Sequence, residues 1–170
     1  GHIEQRKDAD YLISVDKLTL GTGGAIRHAL HLFQSKQVLV LNGDSYIAFS
    51  VKTLLHFHIS RKAETTILLS SGMQGADYGN VELGKDHRIL SFQEKPQYSK
   101  GQLINTGVYF LQHELIREQS QGKASIERDW FPRWIYNNRV LGMVLPEPFY
   151  DIGTRERFEL AKQKIKKKKC

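Results

Sequence analysis

Five short runs carry the side chains that could do chemistry: Leu20-Gly21-Thr22-Gly23-Gly24-Ala25, Asn42-Gly43-Asp44, Glu94-Lys95-Pro96, Asn105-Thr106-Gly107-Val108-Tyr109 and Asp151-Ile152-Gly153-Thr154. Asp44 closes an apolar run. A carboxylate at a strand's C-terminal end suits a magnesium ion, which takes one or two carboxylates and completes its shell with phosphate oxygens. Asp151 is the natural second ligand. Taken singly, Asp44 reads first as a turn residue, and the alternative for Asp151 is a helix cap. Lys95 is set in a defined position by Pro96 and offers a point charge to a phosphate; its plain alternative is a surface pair with Glu94. Asn105 and Gly107 supply an amide and an opening suited to a hydroxyl, and Tyr78-Gly79-Asn80 repeats those elements. Gly21-Thr22-Gly23-Gly24 precedes a helical pattern, whose first amides lack internal partners and suit an anion or a base edge. The alternative there is a glycine-rich turn. It is not a P-loop, because no Gly-Lys-Ser/Thr follows. Together, in this order, the runs describe a phosphate-handling site assembled from the ends of several strands.

The elements that must position them follow from apolar spacing. Residues 11–15 read as a strand. Ala25, Ile26, Ala29, Leu30 and Phe33 recur at helical spacing after Gly24. Residues 37–41 form a short apolar run, the pattern of a strand buried on both faces. A helix is expected over residues 50–62 with Ser50 as its cap, then a second buried strand over residues 65–69. This alternation predicts an α/β fold with a mixed, mainly parallel sheet flanked by helices. Residues 81–83, 89–92 and 103–110 are strand-like with short turns between, which suggests an antiparallel insert or extension. Residues 125–137 look helical with Ser125 capping, residues 140–145 form a late strand and residues 154–164 a closing helix. The chain reads as one domain over residues 1–170, ending in a basic tail at residues 164–170.

Composition narrows the class of partner. The 170 residues carry a formal charge of +7, and the tail from Lys162 to Lys169 alone supplies six lysines. A terminal charge run is ordinarily a solvated end, and the rest of the chain is nearly balanced, so no nucleic-acid partner is implied. The single cysteine, Cys170, leaves no intrachain disulfide and fits a cytoplasmic setting. No apolar run approaches the ~18 residues of a membrane span, so no membrane partner is expected.

From about residue 18 to residue 160, with Ser125-Ile126-Glu127-Arg128-Asp129 included, the motif set resembles the sugar-1-phosphate nucleotidyltransferases. Its Leu-Gly-Thr-Gly-Gly-Ala-Ile and Asn-Gly-Asp-Ser-Tyr versions are most similar to the D-glycero-D-manno-heptose 1-phosphate guanylyltransferase branch. The resemblance implies a Rossmann-like nucleotide-diphosphosugar transferase fold. It implies Mg²⁺ held by Asp44 and Asp151, a sugar phosphate met by Lys95, and a sugar met by Glu94, Asn105 and Gly79. Gly21, Thr22, Gly23 and Gly24 would lie against the nucleobase, and Asn42 and Gly43 would complete the substrate contacts. The partners would be a nucleoside triphosphate, GTP by branch, and a sugar 1-phosphate, in the biosynthesis of a nucleotide-sugar precursor of surface glycans.

Family members begin with a strand ending in Gly-Gly-x-Gly-Thr-Arg, the loop that cradles the triphosphate, and residues 1–20 hold no match to it. The resemblance therefore implies an N-terminally incomplete sheet with an open interior edge, and an open edge invites a strand-swapped dimer or another homo-oligomer. The expected reaction is nucleotidyl transfer with release of pyrophosphate. The alternative is a catalytically inactive sugar-nucleotide binding chain. The nucleophile is already anionic, so none of the seven histidines is assigned as a base, and His56 and His58 read as packing or surface residues.

Overall fold

The computed structural model describes residues 9–71, 79–93, 103–137 and 139–167. In chain order it contains α1 (Gly21–His28), a 3-10 turn (Ala29–Leu32), β1 (Gln37–Leu41), β2 (Ser45–Tyr46), α2 (Val51–Ser60) and β3 (Thr65–Ser70). Then follow β4 (Asn80–Leu83), β5 (Ile89–Gln93), β6 (Leu103–Gln112), α3 (His113–Arg117), a π turn (Ile126–Trp130), α4 (Phe131–Asn137), β7 (Val140–Leu145), β8 (Tyr150–Asp151) and α5 (Arg155–Lys167).

The sheet is organised around β6. One edge of β6 pairs with β3. The other edge is shared, with β4 at its start (Val81 opposite Leu103) and β1 at its end (Leu41 opposite Val108 through Gln37 opposite Gln112). All of these pairings are antiparallel, as is β4 with β5, and only β3 with β7 runs parallel. The sheet is thus mixed and mostly antiparallel, which corrects the mainly parallel expectation. The physical reason is that β6, read from sequence as part of an insert, lies between β1 and β3. Those two strands point the same way but do not touch.

The strand alternation sends side chains to two cores. Ile67, Leu69, Tyr109 and Leu111 pack with Trp130, Phe131 and Trp134 from the π turn and α4. Leu68, Val108 and Phe110 face the opposite way and pack with Leu54 of α2 and with Ile47. α2 begins where expected, with the Ser50 side chain accepting a hydrogen bond from Thr53 N–H. Leu54 and His58, one turn apart, are its buried residues. The π turn is capped reciprocally: Ser125 Oγ accepts from Arg128 N–H, and Asp129 accepts from Ser125 N–H at 2.7 Å. The widened turn lets residue 129 rather than 128 reach back.

Four further expectations change. Residues 11–15 form no strand; they run irregularly, with Leu12, Ile13 and Val15 exposed. β1 is not buried on both faces: Val38 is its one buried residue, Leu41 is 56 % exposed, and no described strand pairs with its outer edge. α1 starts at Gly21, inside the glycine run rather than after it. α5 continues to Lys167, into the stretch read as a solvated tail. No helix among the described residues is long and apolar enough to cross a membrane.

Candidate active site

As β1 ends, Asn42 N–H donates to the Gly107 carbonyl at 2.9 Å, tying the chain to the middle of β6. Gly107 has φ +73, and a Cβ there would stand 2.6 Å from Asn42 Nδ2, so the position admits only glycine. Beyond it Gly43 is exposed, with open space where a Cβ would stand, and Asp44 is exposed. β2 pairs with β8 so that Ser45 lies opposite Asp151, and Ile152 N–H donates to the Asp44 carbonyl at 2.7 Å. The ribbon brings the two carboxylates to one glycine. A Cβ on Gly153 would lie 3.3 Å from Asp151 Oδ1 and 3.6 Å from Asp44 Oδ2. Gly153 N–H donates to Asp151 Oδ1 at 2.8 Å, Ser45 Oγ donates to Asp44 Oδ1 at 3.3 Å, and the Arg157 guanidinium pairs with Asp151 Oδ2.

No group of three or more His, Cys, Asp or Glu side chains among the described residues could hold a metal ion. Two converging carboxylates with solvent on their open side are a donor set that fits magnesium, which leaves most of its shell to water and phosphate oxygens. The same set would hold zinc poorly, since structural and catalytic zinc sites take three or four protein ligands.

Along β6 the next residues are tied together by their polar atoms. Asn105 N–H donates to the Gly79 carbonyl at 2.9 Å, and Asn105 Oδ1 accepts from Gly107 N–H at 3.1 Å. Asn105 Nδ2 donates to Tyr109 Oη at 2.9 Å, and Tyr109 Oη donates to Glu127 Oε1 at 3.2 Å. Glu127 Oε2 in turn accepts from Thr22 Oγ1 at 2.9 Å and from Ser125 Oγ at 3.0 Å. Thr22 Oγ1 also accepts from Ile126 N–H at 3.0 Å.

The glycine run is held by the same segment. Gly23 and Gly24 N–H both donate to the Ala124 carbonyl, at 2.9 and 3.1 Å, so these amides are engaged within the protein rather than left without partners. Cβ atoms would stand 2.6 Å from the Ala124 oxygen at Gly21, 2.9 Å from the Trp130 ring at Gly23 and 2.3 Å from the Gly122 oxygen at Gly24. The run is glycine because residues 122–130 press against it. Thr22 stays exposed.

The sequence-derived set therefore divides. Asp44 and Asp151 meet at Gly153, Asn42 is tied to Gly107, and Asn105 is tied to Gly79 and, through Tyr109 and Glu127, to Thr22 in the glycine run, whereas Glu94 and Lys95 lie outside the described residues. Two contributors had no sequence-level role: Glu127, visible only as part of a matching run, and Arg157, whose contact with Asp151 depends on where α5 starts. An open groove beside α1, about 730 Å³ in volume, is lined by Arg27, His28, His31 and His113 and shares only Leu20 and Gly24 with the motifs. It contains no carboxylate, unlike the Asp44–Asp151 corner. His58 belongs to neither. It is buried under α2 against Phe110, its Nδ1 2.8 Å from Thr66 Oγ1, and burial lowers its pKa from 6.5 to about 4.

The family model described as nucleotidyl transferase matches residues 2–168. The chain is 30 % identical over 153 residues to D-glycero-alpha-D-manno-heptose 1-phosphate guanylyltransferase from Aneurinibacillus thermoaerophilus, covering 89 % of this chain and 66 % of the relative. It is 30 % identical over 142 residues to the mannose-1-phosphate guanylyltransferase of Mycobacterium tuberculosis, covering 82 % of this chain and 40 % of the relative. Among solved structures, HddC from Yersinia pseudotuberculosis complexed with GMP-PN superposes with a TM-score of 0.78 at 27 % identity, over 88 % of this chain and 64 % of that one. The chain thus spans just under two thirds of the length of its heptose-phosphate relative and less than half of the mannose-phosphate one.

Proposed function

The chain belongs to the nucleotidyl transferase family, and from that premise we propose that it transfers a guanylyl group from GTP to a manno-configured sugar 1-phosphate, D-glycero-α-D-manno-heptose 1-phosphate first. Both named relatives act on manno-configured sugar phosphates and carry guanylyltransferase in their names. In the reaction a phosphate oxygen of the sugar 1-phosphate attacks the α-phosphorus of GTP. The bond from that phosphorus to the bridging oxygen breaks, pyrophosphate leaves and a GDP-sugar forms. The attacking oxygen is already anionic, so the protein's task is in-line positioning and charge neutralisation.

The observation that carries this reading is the meeting of Asp44 and Asp151 across the β2–β8 ribbon, beside Asn42, Asn105 and Gly107. The two carboxylates would hold Mg²⁺, which when bound screens the negative charge of the phosphates. Asn105 and Gly79 would receive the sugar hydroxyls together with Glu94, and Lys95 would meet the sugar phosphate. Thr22 and the adjoining Gly21, Gly23 and Gly24 would border the guanine, and Asn42 and Gly43 would shape the floor between base and sugar.

The test is pyrophosphate release by the full chain with Mg²⁺, GTP and the heptose 1-phosphate. Release is expected, and it should stop when the sugar phosphate is omitted. Faster release with mannose 1-phosphate would move the sugar assignment to the hexose. No release from folded protein that still binds the GDP-sugar would replace transfer with binding alone.

A further inference from the structure

We propose that Glu127 is a positioning residue that couples the reading of the base to the reading of the sugar. The proposal rests on the guanylyl-transfer reading above. Its ground is the hydrogen-bond chain from Thr22 through Glu127 and Tyr109 to Asn105, which joins two motifs far apart in sequence.

Proton bookkeeping gives that chain a direction. A hydroxyl has one proton. Thr22 commits its proton to Glu127 Oε2 while accepting from Ile126 N–H, so its rotamer is fixed. Tyr109, fully buried, commits its proton to Glu127 Oε1 and keeps a lone pair for Asn105 Nδ2. That contact and the Gly107 N–H on Oδ1 fix which way the Asn105 amide points. A fixed amide still has a second N–H and a second oxygen lone pair for a ligand hydroxyl.

Glu127 suits the junction because an ionised carboxylate only accepts, and three donors meet it: Thr22, Ser125 and Tyr109. A glutamine has one acceptor oxygen in place of two and cannot receive all three donors, so the joint hold on the two arms is lost. A ligand that orders Thr22 therefore also orders Asn105 through the carboxylate. The second ligand then meets a site already arranged, and by linkage the effect is reciprocal.

The experiment is calorimetric binding of GTP with Mg²⁺, and of mannose 1-phosphate, to the full chain, its Glu127→Gln variant and its Tyr109→Phe variant. Melting curves check the fold. Glu127→Gln is expected to weaken both ligands by about tenfold, the scale of a lost hydrogen bond to a charged group. Tyr109→Phe cuts only the arm toward Asn105, so it should weaken the sugar phosphate and leave GTP within about twofold, below the cost of one neutral hydrogen bond. Should Glu127→Gln fail to fold, Tyr109→Phe decides by the same selectivity. Loss of one ligand alone in Glu127→Gln, equal loss of both in Tyr109→Phe, or no change in either variant overturns the proposal. An unmutated chain that binds neither ligand overturns the guanylyl-transfer reading and the coupling with it, and that failure is visible before any variant is made.

Discussion

At the Asp44–Asp151 corner two carboxylates meet at the end of a ribbon two residue pairs long, Asp44 exposed just before it and Asp151 within it, with an arginine as the neighbouring cation. At the Thr22–Glu127 corner the chain is pinned by a run of side-chain hydrogen bonds over a floor of Trp130, Phe131 and Trp134. The first corner concentrates like charge and keeps it in water, where repulsion is weak and an ion can enter. The second buries apolar rings and leaves few alternative arrangements. On the proposed reading, chemistry and shape-reading would fall on structures of opposite stiffness. Substitution of the carboxylates should move activity, and substitution of the aromatic floor should move stability.

The sharpest way to break that contrast is Asp44→Asn. Turnover should fall on the order of a thousandfold, as expected when charge stabilisation worth several kcal/mol is removed. The melting temperature should stay within a few degrees, because Asp44 is exposed and buries no apolar surface. Retained turnover would remove Asp44 from the reacting set. Trp130→Ala is the mirror image: its side chain is 1 % exposed and lies under Gly23, so the variant should lose roughly 3–5 kcal/mol in urea unfolding. A loss below about 1 kcal/mol would mean that the glycine run is not held from beneath.

His58 tests the sheet's other face, remote from both corners. Its folded pKa lies below its unfolded one, so the unfolded chain binds the extra proton between pH 6.5 and about 4. Stability should be complete above pH 6.5 and decline on acidification through that window, by on the order of 2–3 kcal/mol. His58→Leu should flatten the decline in urea titrations, and an unchanged slope would assign it to other groups. The smallest effect belongs to Arg157→Ala. Freed of its guanidinium partner, Asp151 should bind Mn²⁺ a few fold more tightly by calorimetry, about 1 kcal/mol or less. Weaker binding would make Arg157 a support for the carboxylate instead of a competitor for it.

Much of this arrangement was legible in the residues. Ser50, the Leu54/His58 spacing and the buried run of β3 marked their elements because local pattern and final burial agree there. The carboxylate pair was legible from Asn42-Gly43-Asp44 and Asp151-Ile152-Gly153, each a turn signal at a strand end. Pairing partners were not. Short turns between strand-like runs suggested that β6 belonged to a peripheral unit, and nothing local to Leu103–Gln112 states that β1 and β3 both choose it. The glycine run misled in a related way. Gly23 and Gly24 read as open amides, yet the Ala124 carbonyl, a hundred positions later, takes both. Residues 11–15 carry strand-forming side chains, but propensity alone makes no strand, and no described strand pairs with them.

The central place of β6 also sets a timetable for synthesis. β1 and β3 emerge from the ribosome well before Leu103–Gln112, and among the described strands each has its antiparallel partner in that later one. These pairings of the two aliphatic segments therefore form only once β6 has been made, and β7, later still, aligns on β3. Such non-local pairing is slow and leaves unpaired strand backbone accessible in the interval. A nascent chain stalled before Leu103 would be a natural client for chaperones that hold extended apolar segments, whereas release past Val140–Leu145 allows the whole sheet to close at once.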